Sequence, residues 1–212
     1  MAHEALTQQT LTRPLSEWDG VEVLAAPEHL AAPAAIVLGW EGAVLPPAVL
    51  LGRRVVVVAE LVAEAHAHRA ETGWPPVTDR MSVATWSWSE MEQLAPPPAV
   101  RLRGVIAPAR HWRTGLTAAV PFTGVCATAL LLPADVARDT RCLRHAGHYG
   151  SSVVAAAGSS DVDPEAVDVV HTGRPRPVPS ARSTLVGRWV HELVYAQLIA
   201  GEPGWLDRAP TG

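Results

Sequence analysis

The chain of 212 residues predicts an α/β or α+β fold: a single mixed sheet flanked by helices, with a C-terminal amphipathic helix after a Pro/Arg-rich linker. Three observations lead there. Apolar residues make up 48% of a chain long enough to bury a sizeable core. From residue 53 onward, short β-branched runs alternate with helix-patterned segments, the usual sign of α/β layering. Finally, residues 183–201 place apolar side chains at helical spacing directly after "GRPRPVPSAR". The expected organisation is a loosely ordered segment 1–18, an α/β core 19–172, an extended linker 173–182, a helix 183–201 that packs on the core or on a partner, and a tail 202–212.

Each element has its own local reason. "GVEVL" (20–24) and "AAIVLGW" (34–40) read as short strands, separated by a turn or helix that begins at Pro27. "RRVVVVAE" (53–60) holds four β-branched residues in a row, which favours a strand. "AELVAEAHAHRAETG" then favours a helix ending at Gly73, with a single helix from Pro47 as the competing reading. "MSVATWSW" (81–88) alternates so that Ala84, Trp86 and Trp88 share one strand face. Ser89 and Glu92 form a capping box for a brief helix before the prolines 96–98.

"AVRLRGVIA" (99–107) alternates as a strand, and a turn through Arg110, His111, Trp112 and Arg113 follows it. "CATALLL" reads as a buried strand, and a helix begins with Pro133 at its first position and ends at Gly147. "SSVVAAAG" and "AVDVVH" are the next strands, with "SSDVDPE" as the turn between them. Prolines hold 173–180 extended. The last helix carries Leu185, Trp189, Leu193 and Ala196 at i, i+4, i+8 and i+11, with Ser183 or Thr184 as cap and Gly201 as stop.

Composition excludes several chemistries. All 17 basic residues are Arg, and the chain contains neither Lys nor Asn. A complete P-loop, Schiff-base chemistry and a kinase-type phosphate lysine therefore cannot be built. Without Asn there is no N-glycosylation acceptor and no Cys-His-Asn triad. This bias, with abundant Ala, Val, Pro and Gly, is expected of a high-GC, bacterial genome.

Two cysteines are too few for a disulfide scaffold, and "MAHEALTQQT" lacks a signal-peptide pattern, so a cytoplasmic protein is expected. The uncharged run Leu116–Ala134 approaches the length of a membrane span. Pro121 and Gly124 interrupt it and Pro133 closes it, which favours a buried strand behind a turn and no membrane insertion. Charge is uneven: residues 1–100 carry 12 acids and 5 Arg, residues 101–212 carry 9 acids and 12 Arg. The second half therefore suggests an anion-facing side.

Five groups of residues could carry function. Ser159 or Ser160 with Asp168 and His171 could assemble a hydrolase or group transferase at a strand's carboxyl end. The G-x-S-x-G elbow is missing, and a Gly-Ser-Ser-Asp turn gives the same pattern. Cys142, His145 and His148 could be metal ligands, with Cys126 or His171 as a fourth. On a helix they fan over about 120° at about 100° per residue, and a helix end favours His in any case. Glu64 and His68, one turn apart, could also clamp an ion, although a solvated helix face looks alike.

Arg101, Arg103, Arg110 and Arg113 with Trp112 could bind an anion, and Arg138, Arg141 and Arg144 form a second row at helical spacing. Eight Trp against one Phe, with the apolar stripe Leu185, Trp189 and Leu193, suggest an interface. The leading expectation is a non-enzymatic accessory or regulatory protein acting through protein–protein contacts or self-association, with an anionic ligand on its Arg-rich half. The small Ser/Asp/His hydrolase or group transferase is the alternative, and a nucleic-acid-binding component the second alternative.

Overall fold

The structure, a computed structural model, describes residues 27–86, 88, 90–91, 94–156, 166–176 and 184–200. The expected strand 20–24, the capping box Ser89/Glu92, and Ser183 and Gly201 lie outside these residues. Within them, seven strands form one mixed sheet flanked by helices, and a C-terminal helix follows a linker. The elements are α1 (Pro27–Val37), β1 (Ala43–Val44), β2 (Ala48–Leu50), β3 (Arg53–Leu61), α2 (Ala63–Glu71), α3 (Arg80–Thr85) and β4 (Val100–Pro108). They continue with α4 (Trp112–Ala119), a 3₁₀ turn (Val120–Phe122), β5 (Ala127–Pro133), α5 (Ala134–Ala137), α6 (Thr140–Tyr149), β6 (Ser152–Ala156), β7 (Val167–His171) and α7 (Leu185–Ile199).

The sheet order is β1-β3-β4-β5-β6-β7, with β2 paired to β3. β4, β5 and β6 run parallel, with Gly104 opposite Ala127 and Ala129 opposite Ser152. β2 is antiparallel to β3, and β7 to β6. β5 and β6 are buried along almost their whole length, as parallel strands covered on both faces must be. Ala31, Ala34 and Ala35 of α1 pack with Val56, Val58, Ile106, Leu131 and Val154. Against the opposite side of β5, Gly115 of α4 faces Leu130, where an added Cβ would come within 3.3 Å of the leucine methyl.

Four expectations are corrected here. Residues 34–37 belong to α1, not to a strand: Ala31, Ala34 and Ala35 form a buried small-residue stripe, while Ile36 and Val37 are exposed. Residues 80–85 are helical, because Asp79 caps the first turn by accepting from the Ser82 N–H at 2.7 Å. The expected turn 110–113 opens α4, whose buried Gly115, Leu116 and Ala119 form a helical stripe. The helix after Pro133 is two helices, since Asp139 starts α6 by accepting from the Arg141 N–H at 2.7 Å. That helix passes through Gly147 and ends at Gly150, whose φ of 72° lets the Ser151 N–H reach Ala146 O at 2.9 Å.

The turn between β2 and β3 holds both Leu51 (φ 51°) and Gly52 (φ 71°) in the left-handed region, as a two-residue hairpin of matching twist requires. A leucine there costs about 1 kcal/mol or more. Leu51→Asn is therefore expected to stabilise the protein by about 1 kcal/mol, seen as a rise of roughly 2–4 °C in thermal midpoint.

The chain forms two compact units. One takes the described residues up to Val58 and those of Arg103–Val178; the other takes Ala59–Leu102 and the described residues after Pro179. The second contains α2, α3 and α7. Among the described residues no helix is long and apolar enough to cross a membrane.

Candidate functional site

Ser159 and Ser160 lie outside the described residues; Asp168 and His171 both lie on β7. Three positions apart on a regular strand, they would point to opposite faces. The pairing with β6 is irregular: His171 stands opposite Val153, and Val169 opposite Val154, so β7 carries an extra residue there. Asp168 stands opposite Ala155, which puts it on the same sheet face as His171. The His171 ring is half-buried against Gly147 of α6, and Asp168 is exposed.

The proposed metal ligands diverge. Cys142 faces the core with Ala146, while the His145 ring stacks on Trp112 with centroids 5.1 Å apart. His148 meets Tyr149 edge-on at 5.0 Å. Among the described residues no group of three or more His, Cys, Asp or Glu side chains could hold a metal ion. Burial pushes the Cys126 thiol up to about 12, and burial with the nearby Asp139 carboxylate pushes Cys142 up to about 11. Both therefore remain thiols near neutral pH, poor ligands and poor nucleophiles.

The Arg group divides. Arg101 and Arg103 sit near the amino end of β4, and Arg101 makes an exposed 3.4 Å ion pair with Glu60. Arg110 and Arg113 lie beyond its carboxyl end, about 20 Å further along at 3.3 Å per residue. There the Trp112–His145 stack joins them to the second row. Arg141, His145 and His148 recur at i, i+4 and i+7 along one side of α6, the side that meets Trp112. The Arg113 guanidinium lies 5.2 Å from the Trp112 ring centre. Arg110, His111, Arg113, Arg141, Arg144 and His148 are all exposed around this stack. Sequence spacing shows two separate rows; the Trp112–His145 stack ties the element that follows Arg110 to the helix that carries Arg141 and Arg144.

In the second unit, Leu193 is buried, while Leu185 and Trp189 are half-buried and the Trp189 indole N–H donates to Thr78 O at 2.7 Å. Thr184 caps α7 by accepting from the Gly187 N–H at 3.0 Å. A group invisible in the spacing lies beneath: Arg69, fully buried, makes two 2.8 Å bonds to the Glu192 carboxylate. The Arg69 guanidinium also donates to Trp74 O and Pro75 O, and lies 4.6 Å from the Tyr195 ring centre. Glu192 further accepts from the Val77 N–H at 3.0 Å and pairs with Arg188 at 3.3 Å. Arg188 donates to Pro96 O and lies over Trp86, while its buried Nε has no hydrogen-bond partner among the described residues. The sequence signal was a carboxylate inside an apolar helix, four residues after an Arg.

His191, beside this group, donates from Nδ1 to Gly187 O at 2.7 Å. Burial holds its imidazole below the ordinary value of 6.5, with the Arg188 charge acting in the same direction. The folded state thus binds its proton less readily than the unfolded chain. The resulting stability is intact above about pH 6.5 and is lost as pH falls below it. His191→Gln is expected to flatten the pH profile of the urea midpoint below 6.5.

No family model, curated protein or solved structure matches the chain.

Proposed function

We propose that this is a non-enzymatic accessory or regulatory protein that works through protein contacts, with an anionic partner received on its α4–α6 face. One observation carries the reading: the Trp112–His145 stack joins the start of α4 to α6, and Arg110, Arg113, Arg141 and Arg144 are exposed beside it in the chain. Guanidinium groups stay charged at every physiological pH and pair with carboxylates or phosphates through two parallel donors. The stack costs these side chains no part of their own donor capacity, because it uses ring faces.

The test is binding of fluorescently labelled polyglutamate and of a short DNA duplex. Polyglutamate should bind more weakly as salt rises, and an Arg113→Gln, Arg141→Gln variant should bind less tightly. Tighter, steeply salt-dependent binding of the duplex would instead favour the nucleic-acid reading. No binding of either polymer would remove the proposal.

The β7 bulge supports a second reading, a small hydrolase or group transferase using Asp168 and His171 with Ser159 or Ser160 as nucleophile. Hydrolysis of an activated ester that disappears in His171→Ala would support it, and unchanged hydrolysis would remove it.

A further inference from the structure

The stack that joins α4 to α6 contains a titratable ring. His145 lies half-buried on the Trp112 indole, with ring centroids 5.1 Å apart and planes 21° from parallel. From α4, the Arg113 guanidinium lies 5.2 Å from the centre of the same indole. On α6 itself, Arg141 stands one turn before His145, His148 one turn after it, and Arg144 next to it. Asp139 turns its carboxylate to the Arg141 N–H at the start of α6, nearly two turns away. The charged side chains beside the imidazole, on both helices, are therefore cations.

Imidazole is the side chain whose charge changes between about pH 5 and 8. Neutral, it offers one N–H and one lone pair; protonated, it offers two N–H donors and a positive charge. A proton on His145 stands beside the Arg113 and Arg141 charges, and an anion bound among the same groups offsets that repulsion. We propose that His145 is the proton-linked member of the anion site, holding the anion as imidazolium, so that binding takes up a proton. The inference rests on the anion-binding reading of this face. Linkage then requires affinity to rise as pH falls, and requires the anion to raise the proton affinity of His145 in return. His111 and His148 are exposed and screened by solvent, whereas the stack fixes His145 in place.

Binding of fluorescently labelled dextran sulfate to the full chain tests this, because sulfate half-esters stay ionised throughout the range. At fixed ionic strength the affinity should rise about three- to tenfold from about pH 8 to about pH 6, within what one linked proton allows. His145→Phe keeps a ring for Trp112 but carries no proton, so its affinity should lack this slope and stay at the weak end. His145→Gln replaces it if the phenylalanine variant loses its native circular dichroism. The His145 Cε1–H resonance, assigned by its loss in the variant, should titrate at higher pH with dextran sulfate present than without it. An affinity that is flat with pH, a slope that the variant retains, or a His145 titration that ignores the polyanion overturns the inference. Flat binding removes only the proton linkage; if neither dextran sulfate nor polyglutamate binds at any pH, the reading of the face falls with it.

Discussion

Glu192→Ala is expected to lower stability by about 3–5 kcal/mol, the largest loss of any single side-chain truncation in the second unit. The substitution strands Arg69, which is fully buried and has two donors aimed at the missing carboxylate. It also orphans the Val77 N–H and removes the anion that offsets Arg188. Burial already pulls the Arg188 guanidinium below its ordinary value, and the Glu192 charge opposes that pull. The cost is therefore that of uncompensated buried charge, which a well-packed apolar replacement avoids. Arg69→Met combined with Glu192→Leu should recover most of the loss, because neither charge is then left without its partner. Urea unfolding followed by tryptophan fluorescence reads the difference, since Trp86 and Trp189 both lie in this unit. A single substitution costing under about 1 kcal/mol would place the pair among weak surface ion pairs.

Gly173→Ala is the second large effect, expected at about 3 kcal/mol. A Cβ there would stand 2.4 Å from the Ser152 N and 2.5 Å from Gly150 O, both backbone atoms that cannot swing aside. The same stretch donates the Gly173 N–H to Ser152 Oγ at 2.9 Å and the Arg174 N–H to Gly150 O at 2.8 Å. Arg174 also caps the end of α6 through Tyr149 O. Pushing residue 173 outward breaks this tie and shifts His171, two residues earlier, away from Gly147. Thermal unfolding measures the stability, and the His171 imidazole resonance should move with it. Wild-type stability in Gly173→Ala would mean that this loop yields without cost.

The sheet was legible wherever β-branched and aliphatic runs were long. β3 holds four consecutive valines, and β5 reads Ala-Leu-Leu-Leu between a cysteine and a proline. The helix end at Gly73 and the cap at Thr184 were legible for the same local reason, a single residue whose chemistry ends or begins a helix. α1 was not, because its buried stripe is alanine, which carries little hydropathy contrast, and Pro33 inside it reads as a break. Residues 81–88 alternate like a strand, yet the Asp79 cap outweighs that pattern.

Long-range chemistry was hidden altogether. Arg69 and Glu192 are 123 residues apart, and no periodicity links them. The β7 bulge that reunites Asp168 and His171 on one face leaves no mark in residue spacing. The two Arg rows were visible separately; the packing of Trp112 on His145, which ties the start of α4 to α6, was not.

The most direct measurement is a double-mutant cycle on polyglutamate affinity at low salt, with Arg113→Gln, Arg141→Gln and their combination, and Arg101→Gln beside them. Each of the first two should weaken binding about two- to fivefold, as a partly exposed charge pair does, and their combination should depart from the product of the two. Arg101→Gln, already paired with Glu60 at the far end of β4, should leave the affinity unchanged. Equal losses from all three substitutions, or none from any, would contradict a single anion-receiving face on α4 and α6.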